Sequence, residues 1–317
     1  MTNTQADRVK EVARLAGRPP RLRRREFLAE GPQAVREALL LQLDRRDADE
    51  DDVVVDVYAT LEALDRHPDI ADLLASANAP SVRPVTPDVL AAMSSTVTPQ
   101  GFIAVCRFVD LSLDAILAAG PRLVAVLVEV RDPGNAGTII RAADSAGADA
   151  VILTSSSVDV YNPKTVRSTV GSIFHLPLVI GVEPDGLLER LCREGLTVLA
   201  ADGYGGTDLD ELQEESAARR LRTGDGRSTS TGGRTTTSDA ATLELEPHAV
   251  PVRLENPTVW LFGNEAQGLP AGLTAGAHAR VAVPIYGRAE SLNVGTAATV
   301  CLYASARAQR RPWFLVP

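Results

Sequence analysis

The run "RLVAVLVEV", Arg122 to Val130, constrains the fold more than any other stretch of the chain. It is apolar without alternation, so both faces of the strand it forms must be covered, which is the condition of a parallel sheet flanked by helices. The consequence is an α/β fold. The chain beyond Val130 keeps that rhythm, with helical spacing in "AGTIIRAADSAGA", a strand in "DAVILT", a helix in "PKTVRSTVGSIF", a strand in "LPLVIG", a helix in "PDGLLERLCREG" and a strand in "LTVLAAD". Strand and helix signals return in "TVWLFG", "ARVAVPI" and "NVGTAATVCLYASARAQR". Between the two sets lies "RTGDGRSTSTGGRTTTSDAAT", Arg222 to Thr242, which has too little apolar surface to offset its ordering entropy. A disordered insertion is expected there.

At 317 residues the chain has room for two domains. Ahead of the parallel sheet, "REFLAEGPQAVREALLLQ" predicts a short extended piece and then a helix from about Pro32, with Val35, Ala38, Leu39 and Leu43 on one face. "VVVDVYA", "IADLLASA", "SVRPV", "PDVLAAMSS" and "GFIAVCRF" continue as strand, helix, strand, helix and strand. The expected division is a basic arm over 1–25, a small α/β domain over 26–109, a linker over 110–121 and a second domain over 122–317.

The arm holds Arg8, Lys10, Arg14, Arg18, Arg21, Arg23, Arg24 and Arg25 against one acid, Glu11, giving +8 − 1 = +7 between Arg8 and Arg25. Two readings stand: a segment that docks on phosphates, or a solvated basic helix. The acidic loop "LDRRDADEDD", Leu43 to Asp52, would be repelled by a phosphate backbone, and the net charge of −9 argues against indiscriminate coating of nucleic acid. The longest apolar stretch, "LVAVLVEV", falls far short of the ~20 residues of a spanning helix, and "MTNTQADRVKEVARL" has no signal core. Cys106, Cys192 and Cys301 share no paired spacing. These features predict a cytoplasmic protein without a membrane segment or a metal.

Three loops after apolar strands carry the unusual polar residues. In "EVRDPGNAGTIIRAAD", Asp132 to Gly134 predicts a turn, with a helix from Gly137 or Thr138 that presents Arg141; Asn135 would precede it. That loop reads as an anion site or as a turn with a surface arginine. "GNEAQGLP" reads as a ligand loop at a strand's carboxyl end or as a tight turn. In "PIYGRAESLNVGTAATV", Ser291 and Asn293 stand where side chains cap a helix. A glycine-rich decoy, "DGYGGTD", lacks the third glycine of a dinucleotide fingerprint and is set aside as a turn. His67, His175, His248 and His278 are too scattered for a metal site or a triad.

In combination the loops say more. "NAGTIIR" (Asn135 to Arg141), "FGNEAQGL" (Phe262 to Leu269) and "PIYGRAESLNV" (Pro284 to Val294), in that order, resemble the three motifs of the SpoU, or TrmH, branch of the SPOUT RNA methyltransferases, over about residues 122 to 310. "REFLAEGPQAVREAL" and "VTPQGFIAV" are similar to the L30e-like substrate-binding domain, built like a small ribosomal protein, of many ribosomal-RNA members. The resemblance implies an α/β fold of two parts: an L30e-like domain, then a SPOUT domain with a C-terminal trefoil knot in which the chain after Val259 threads an earlier loop. It also implies a homodimer and S-adenosylmethionine as methyl donor, held largely through backbone at Gly263, Val283, Ile285 and Leu292. The implied reaction is 2′-O-ribose methylation of RNA, with 23S ribosomal RNA as the expected substrate; transfer RNA, or a non-catalytic RNA-binding role, are the alternatives. The matched polar positions are Asn135, Arg141, Glu265, Ser291 and Asn293. Family members assign the Arg141 position to the reacting hydroxyl, sometimes as base. Arginine stays protonated in proteins, so Arg141 is read as a clamp for the adjoining phosphate that also stabilises the forming alkoxide. One departure is Gly295, where the family usually has Ser or Thr.

Overall fold

The computed structural model describes residues 1–76, 78–224 and 251–310. Two sheets organise them. The first has four strands, β1 (Glu26–Glu30), β2 (Val54–Ala59), β3 (Val82–Pro84) and β4 (Phe102–Arg107), in the order β1-β4-β2-β3. β4 is antiparallel to both neighbours and β3 is parallel to β2. Val35, Ala38 and Leu39 of the helix Pro32–Asp47 are buried as the periodicity requires. Gln42 is fully buried on that helix as well, its side-chain oxygen accepting from the Val53 and Val54 amides at 2.8 and 2.7 Å. A polar residue thus docks the helix to the start of β2, and no apolar pattern could announce it.

The second sheet has seven strands, every pairing parallel: β5 (Leu123–Leu127), β6 (Ala150–Thr154), β7 (Leu178–Val182), β8 (Thr197–Ala201), β9 (Thr207–Asp208), β10 (Thr258–Phe262) and β11 (Ala279–Ala282). Their order is β7-β6-β5-β10-β8-β11-β9. All five residues of β5, of β6 and of β10 are buried, as unbroken apolar runs demand. β10 arrives late in the chain yet lies at the centre, with Trp260 level with Ala125 of β5 and Leu199 of β8. The glycine decoy is a turn leading to β9, and Gly205 is needed there because a Cβ would stand 2.4 Å from the Arg280 carbonyl oxygen.

Several expectations change. The helix after β5 begins at Pro133, not at Gly137 or Thr138, because Pro occupies its first turn and the Asp132 carboxylate caps it by accepting from the Asn135 amide at 2.8 Å. Asn135 therefore sits inside the first turn. The helix predicted over "PKTVRSTVGSIF" stops at Thr169 and resumes as a short 3-10 turn, Ser172–Phe174. The break lies at Val170 and Gly171, both left-handed, where a Cβ on Gly171 would meet the Glu37 side chain at 2.5 Å. The arm is two helices, Asp7–Arg14 and Arg18–Arg24. Of the expected insertion, 222–224 ends the helix Leu209–Gly224, and the rest lies outside the described residues.

The two sheets' layers meet through polar groups around an aromatic cluster. Phe27 packs on Tyr161 and Phe174, with ring centroids 4.7 and 5.8 Å apart, while the Tyr161 hydroxyl donates to Asp110 at 2.8 Å. Arg21 is 2% exposed and reaches Asp159 at 2.6 Å, its guanidinium also donating to the Leu15 and Ala16 carbonyls. His175 bridges Asp144, at 2.8 Å, and Glu37, at 3.1 Å.

Half of the basic arm is thereby used internally. Arg8 pairs with Asp56, Arg24 with Glu26 at 2.6 Å and Arg25 with Asp110 at 3.1 Å, the last guanidinium lying over the Phe108 ring. Both readings of the arm, phosphate docking and a solvated basic helix, therefore bear mainly on Lys10, Arg14, Arg18 and Arg23, the exposed cations that remain.

Candidate active site

The three loops singled out by sequence converge beyond the carboxyl ends of β5, β10 and β11, where α/β sheets hold their ligands. Glu129, just after β5, takes a left-handed φ of 54°, and its carbonyl accepts from the Asn264 side chain at 3.0 Å. Asn264 also closes its own loop: its side-chain oxygen accepts from the Ala266 and Gln267 amides at 2.8 and 3.3 Å, and its backbone exchanges hydrogen bonds with Gly268. Gly263 makes that fold-back feasible, since a Cβ there would lie 2.5 Å from the Gly268 carbonyl carbon. Sequence reasoning missed Asn264; the signal available was an Asn opening a Gly-bounded turn.

Asn135 is the centre of the constellation. Its side-chain nitrogen donates to the Glu265 carboxylate, and its oxygen accepts from the Asn293 side chain at 2.9 Å. Asn293 in turn caps the last helix, Val294–Gln309, its oxygen accepting from the Gly295 amide at 2.9 Å and the Thr296 amide at 3.4 Å. Capping and site membership are thus one role: the cap fixes the oxygen, and the freed NH2 reaches across to Asn135. One residue from each of three loops is joined in a single line, Glu265 to Asn135 to Asn293.

The departure at Gly295 has a local cause. A Cβ on Gly295 would stand 2.7 Å from the Thr138 methyl, so the last helix approaches the helix Pro133–Ala146 through a position that a larger residue crowds. Asn293 supplies the helix-start bonds in any case.

Arg141 and Ser291 are placed differently. Both are exposed, and neither is bonded to any described residue. Arg141 lies one turn beyond Gly137 and Thr138 on the same helix, on the face flanked by helix Pro163–Thr169 through the Gly137–Ser168 contact and by the last helix through Thr138. It does not join the Asn135 line. Lys164, missed by sequence, opens the flanking helix, its ammonium 3.7 Å from Asp132.

Of the four positions matched to cofactor binding, Gly263 is buried, Val283 is half-buried against the core, and Ile285 and Leu292 are each 38% exposed. Exposed aliphatic side chains beside a backbone-rich turn suit an adenine ring, which needs an apolar slot and main-chain hydrogen bonds. The residues fit an adenosyl ligand. Among the described residues there is no cluster of groups that could hold a metal, and no helix is long and apolar enough to cross a membrane.

An all-parallel sheet with three polar loops tied together at its carboxyl edge defines an α/β protein with a nucleotide-type ligand cleft. The family model of the SpoU rRNA methylases matches residues 122–303, and that of the MRM3-like substrate-binding domain matches 6–104. The chain belongs to the SpoU rRNA methylase family. It is 33% identical over 217 residues to the 23S rRNA (guanosine(2553)-2′-O)-methyltransferase RlmP of Bacillus subtilis, covering 68% of each chain. Among solved structures it is similar to an AdoMet-bound rRNA methyltransferase from Sinorhizobium meliloti, with 25% identity, 97% of each chain covered and a TM-score of 0.68. It is also similar to the SpoU methyltransferase AviRb from Streptomyces viridochromogenes in complex with AdoMet, with 25% identity, 96% of this chain and 98% of that chain covered, and a TM-score of 0.69. The fold is that of the SPOUT methyltransferases.

Proposed function

We propose that this protein is an S-adenosylmethionine-dependent RNA 2′-O-ribose methyltransferase that acts on 23S ribosomal RNA. The observation that carries the reading is the line Glu265–Asn135–Asn293, which unites the three family motifs at the ligand edge of the sheet. S-adenosylmethionine would supply a methyl group already activated on a sulfonium sulfur. The protein's task is then alignment and charge management. Gly263, Val283, Ile285 and Leu292 hold the adenosyl end. Arg141, uncommitted and always cationic, binds the phosphate beside the target nucleotide and stabilises the 2′-oxygen as its proton leaves. Asn135, Glu265 and Asn293 fix the relative position of the loops, and Ser291 lies on the approach to the ribose.

We infer a trefoil knot in the second domain, with β10 threaded between β5 and β8; the central position of a strand so late in the chain supports it. The four-stranded layer is read as an L30e-like domain that binds the substrate, a reading that the substrate-binding family match supports. The active unit is a homodimer. Supporting it is an exposed stripe on the last helix, Thr296, Val300, Tyr303 and Arg307, at helical spacing with two large apolar side chains uncovered. A ribosomal-RNA substrate accords with a cytoplasmic enzyme.

The test is transfer of a labelled methyl group from S-adenosylmethionine to an unmodified 23S transcript, with nuclease mapping of the 2′-O-methyl position. Label on a base, or on transfer RNA and not on the ribosomal transcript, would overturn the assignment.

A further inference from the structure

A polar cavity of about 220 Å³ opens between the two domains, lined by no residue of the methyl-transfer loops. It is lined by Glu30 and the loop residues Ser94, Thr96, Thr98 and Gln100 from the first domain, and by Arg167 from the second. Its polar groups divide into two sets. Glu30, only 8% exposed, is saturated: Ser94 and Ser95 donate to its carboxylate, and Arg167 approaches it at 3.4 Å while donating to the Ser95 hydroxyl at 2.6 Å. These bonds build the wall and latch the two domains. The Thr98 hydroxyl and the Gln100 carboxamide, by contrast, are exposed at the cavity mouth and have no hydrogen-bond partner among the described residues. Beside them Val97 is entirely exposed at the loop tip.

We propose that this cavity is a recognition pocket for one unpaired nucleobase of the substrate RNA, near the target nucleotide, with Thr98 and Gln100 reading its edge. The inference rests on the RNA methyltransferase reading. A cavity of about 150 Å³ accommodates benzene, so this volume has room for a planar ring. Neutral donors and acceptors in the same small space, an amide and a hydroxyl, suit a base edge; Arg167, the cation of the wall, is already committed to Glu30 and Ser95, so a phosphate finds no free charge. The location suits the reaction as well. Arg167 belongs to the helix Pro163–Thr169, which begins with Lys164 beside Asp132 and packs through Ser168 on Gly137, one turn from Arg141. Lys164 and Arg167 are three residues apart on that helix, a rise of about 4.5 Å, so the cation of the pocket wall stands within one helical turn of the residue beside Asp132.

The test uses the full-length protein and an unmodified 23S transcript. Thr98→Val with Gln100→Ala removes both reading groups without touching the domain latch. Expected is a loss of RNA affinity of about 10-fold, with the slope of log affinity against log salt unchanged and S-adenosylmethionine binding unchanged. Unaltered RNA affinity would overturn the pocket, and so would a loss accompanied by a shallower salt slope, which marks a phosphate contact. Gln100→Glu, which keeps the shape and reverses the hydrogen-bond pattern of one edge, should weaken binding at least as much; wild-type affinity in that variant would also overturn the proposal. If the unaltered enzyme fails to methylate the transcript, the RNA reading itself falls and the pocket with it; if it methylates normally while the variants bind normally, the pocket alone falls.

Discussion

Arg21 and Arg141 are both arginines in basic or polar surroundings, and their partners separate them. Arg21 is buried against Asp159 and two carbonyls, so Arg21→Ala strands a carboxylate and should destabilise the protein by about 3 kcal/mol or more, read as a drop in denaturant midpoint. Arg141 is exposed and unbonded, so Arg141→Ala should leave folding and S-adenosylmethionine affinity intact while methyl transfer falls ~10²-fold or more in single-turnover assays. Arg141→Lys should recover little of that rate, because an ammonium cannot hold a phosphate and an oxyanion in one planar fork. A near-normal rate for Arg141→Ala would remove it from the chemistry. Among the arm's other cations, charge reversal at Arg18 and Arg23 should weaken RNA binding and flatten its salt dependence, since those two are exposed.

Helix packing at the site is set by small residues. The last helix meets the helix Pro133–Ala146 at Gly295 and Thr138, where a Cβ would be overpacked. Gly295→Ala gains up to ~1 kcal/mol of helix propensity but meets an overpacking cost of about 1–3 kcal/mol, so the net effect should be destabilising. In a Thr138→Ala background the cost of the same substitution should shrink, because the methyl at 2.7 Å is gone while the position-138 Cβ at 3.1 Å and the Asn293 oxygen at 3.2 Å remain. Thermal unfolding of the four proteins of this cycle checks the coupling; strict additivity would show that the Thr138 contact does not matter.

The domains are joined by titratable groups, and their joint has a pH dependence. Burial works to lower the His175 pKa, but hydrogen bonds to Asp144 and Glu37 outweigh it and the net shift is upward. Burial works to raise the Glu37 pKa, but its bonds to Arg36 and His175 outweigh it and the net shift is downward. The His175 contribution is therefore complete below its unfolded value of 6.5 and fades as pH rises through the raised folded value. The Glu37 contribution is present above its unfolded value of 4.5 and fades as pH falls through the lowered one. Stability of the interdomain joint should peak between those limits. The stability difference between wild type and His175→Gln should be largest near about pH 6 and shrink toward about pH 9; a difference that stays constant would show that the ring is neutral throughout.

Unbroken apolar runs such as Leu123–Leu127 and Thr258–Phe262 determine, by themselves, that a doubly covered parallel sheet must form, because nothing else hides both faces of a strand. Local chemistry marked the three loops but left each one a turn or a helix cap as an equal alternative, and only their order and combination, through the family resemblance, pointed to a shared site. Long-range partnership is what local pattern leaves open. The position of β10 between β5 and β8, the Asn135 line across residues more than a hundred apart in sequence, and the burial of Arg21, Gln42 and Glu30 all depend on which surfaces meet. The eight basic residues of the arm are equivalent as sequence. Tertiary structure alone assigned Arg8, Arg21, Arg24 and Arg25 to acids within the fold, because a charge acquires its role from the group that lies beside it.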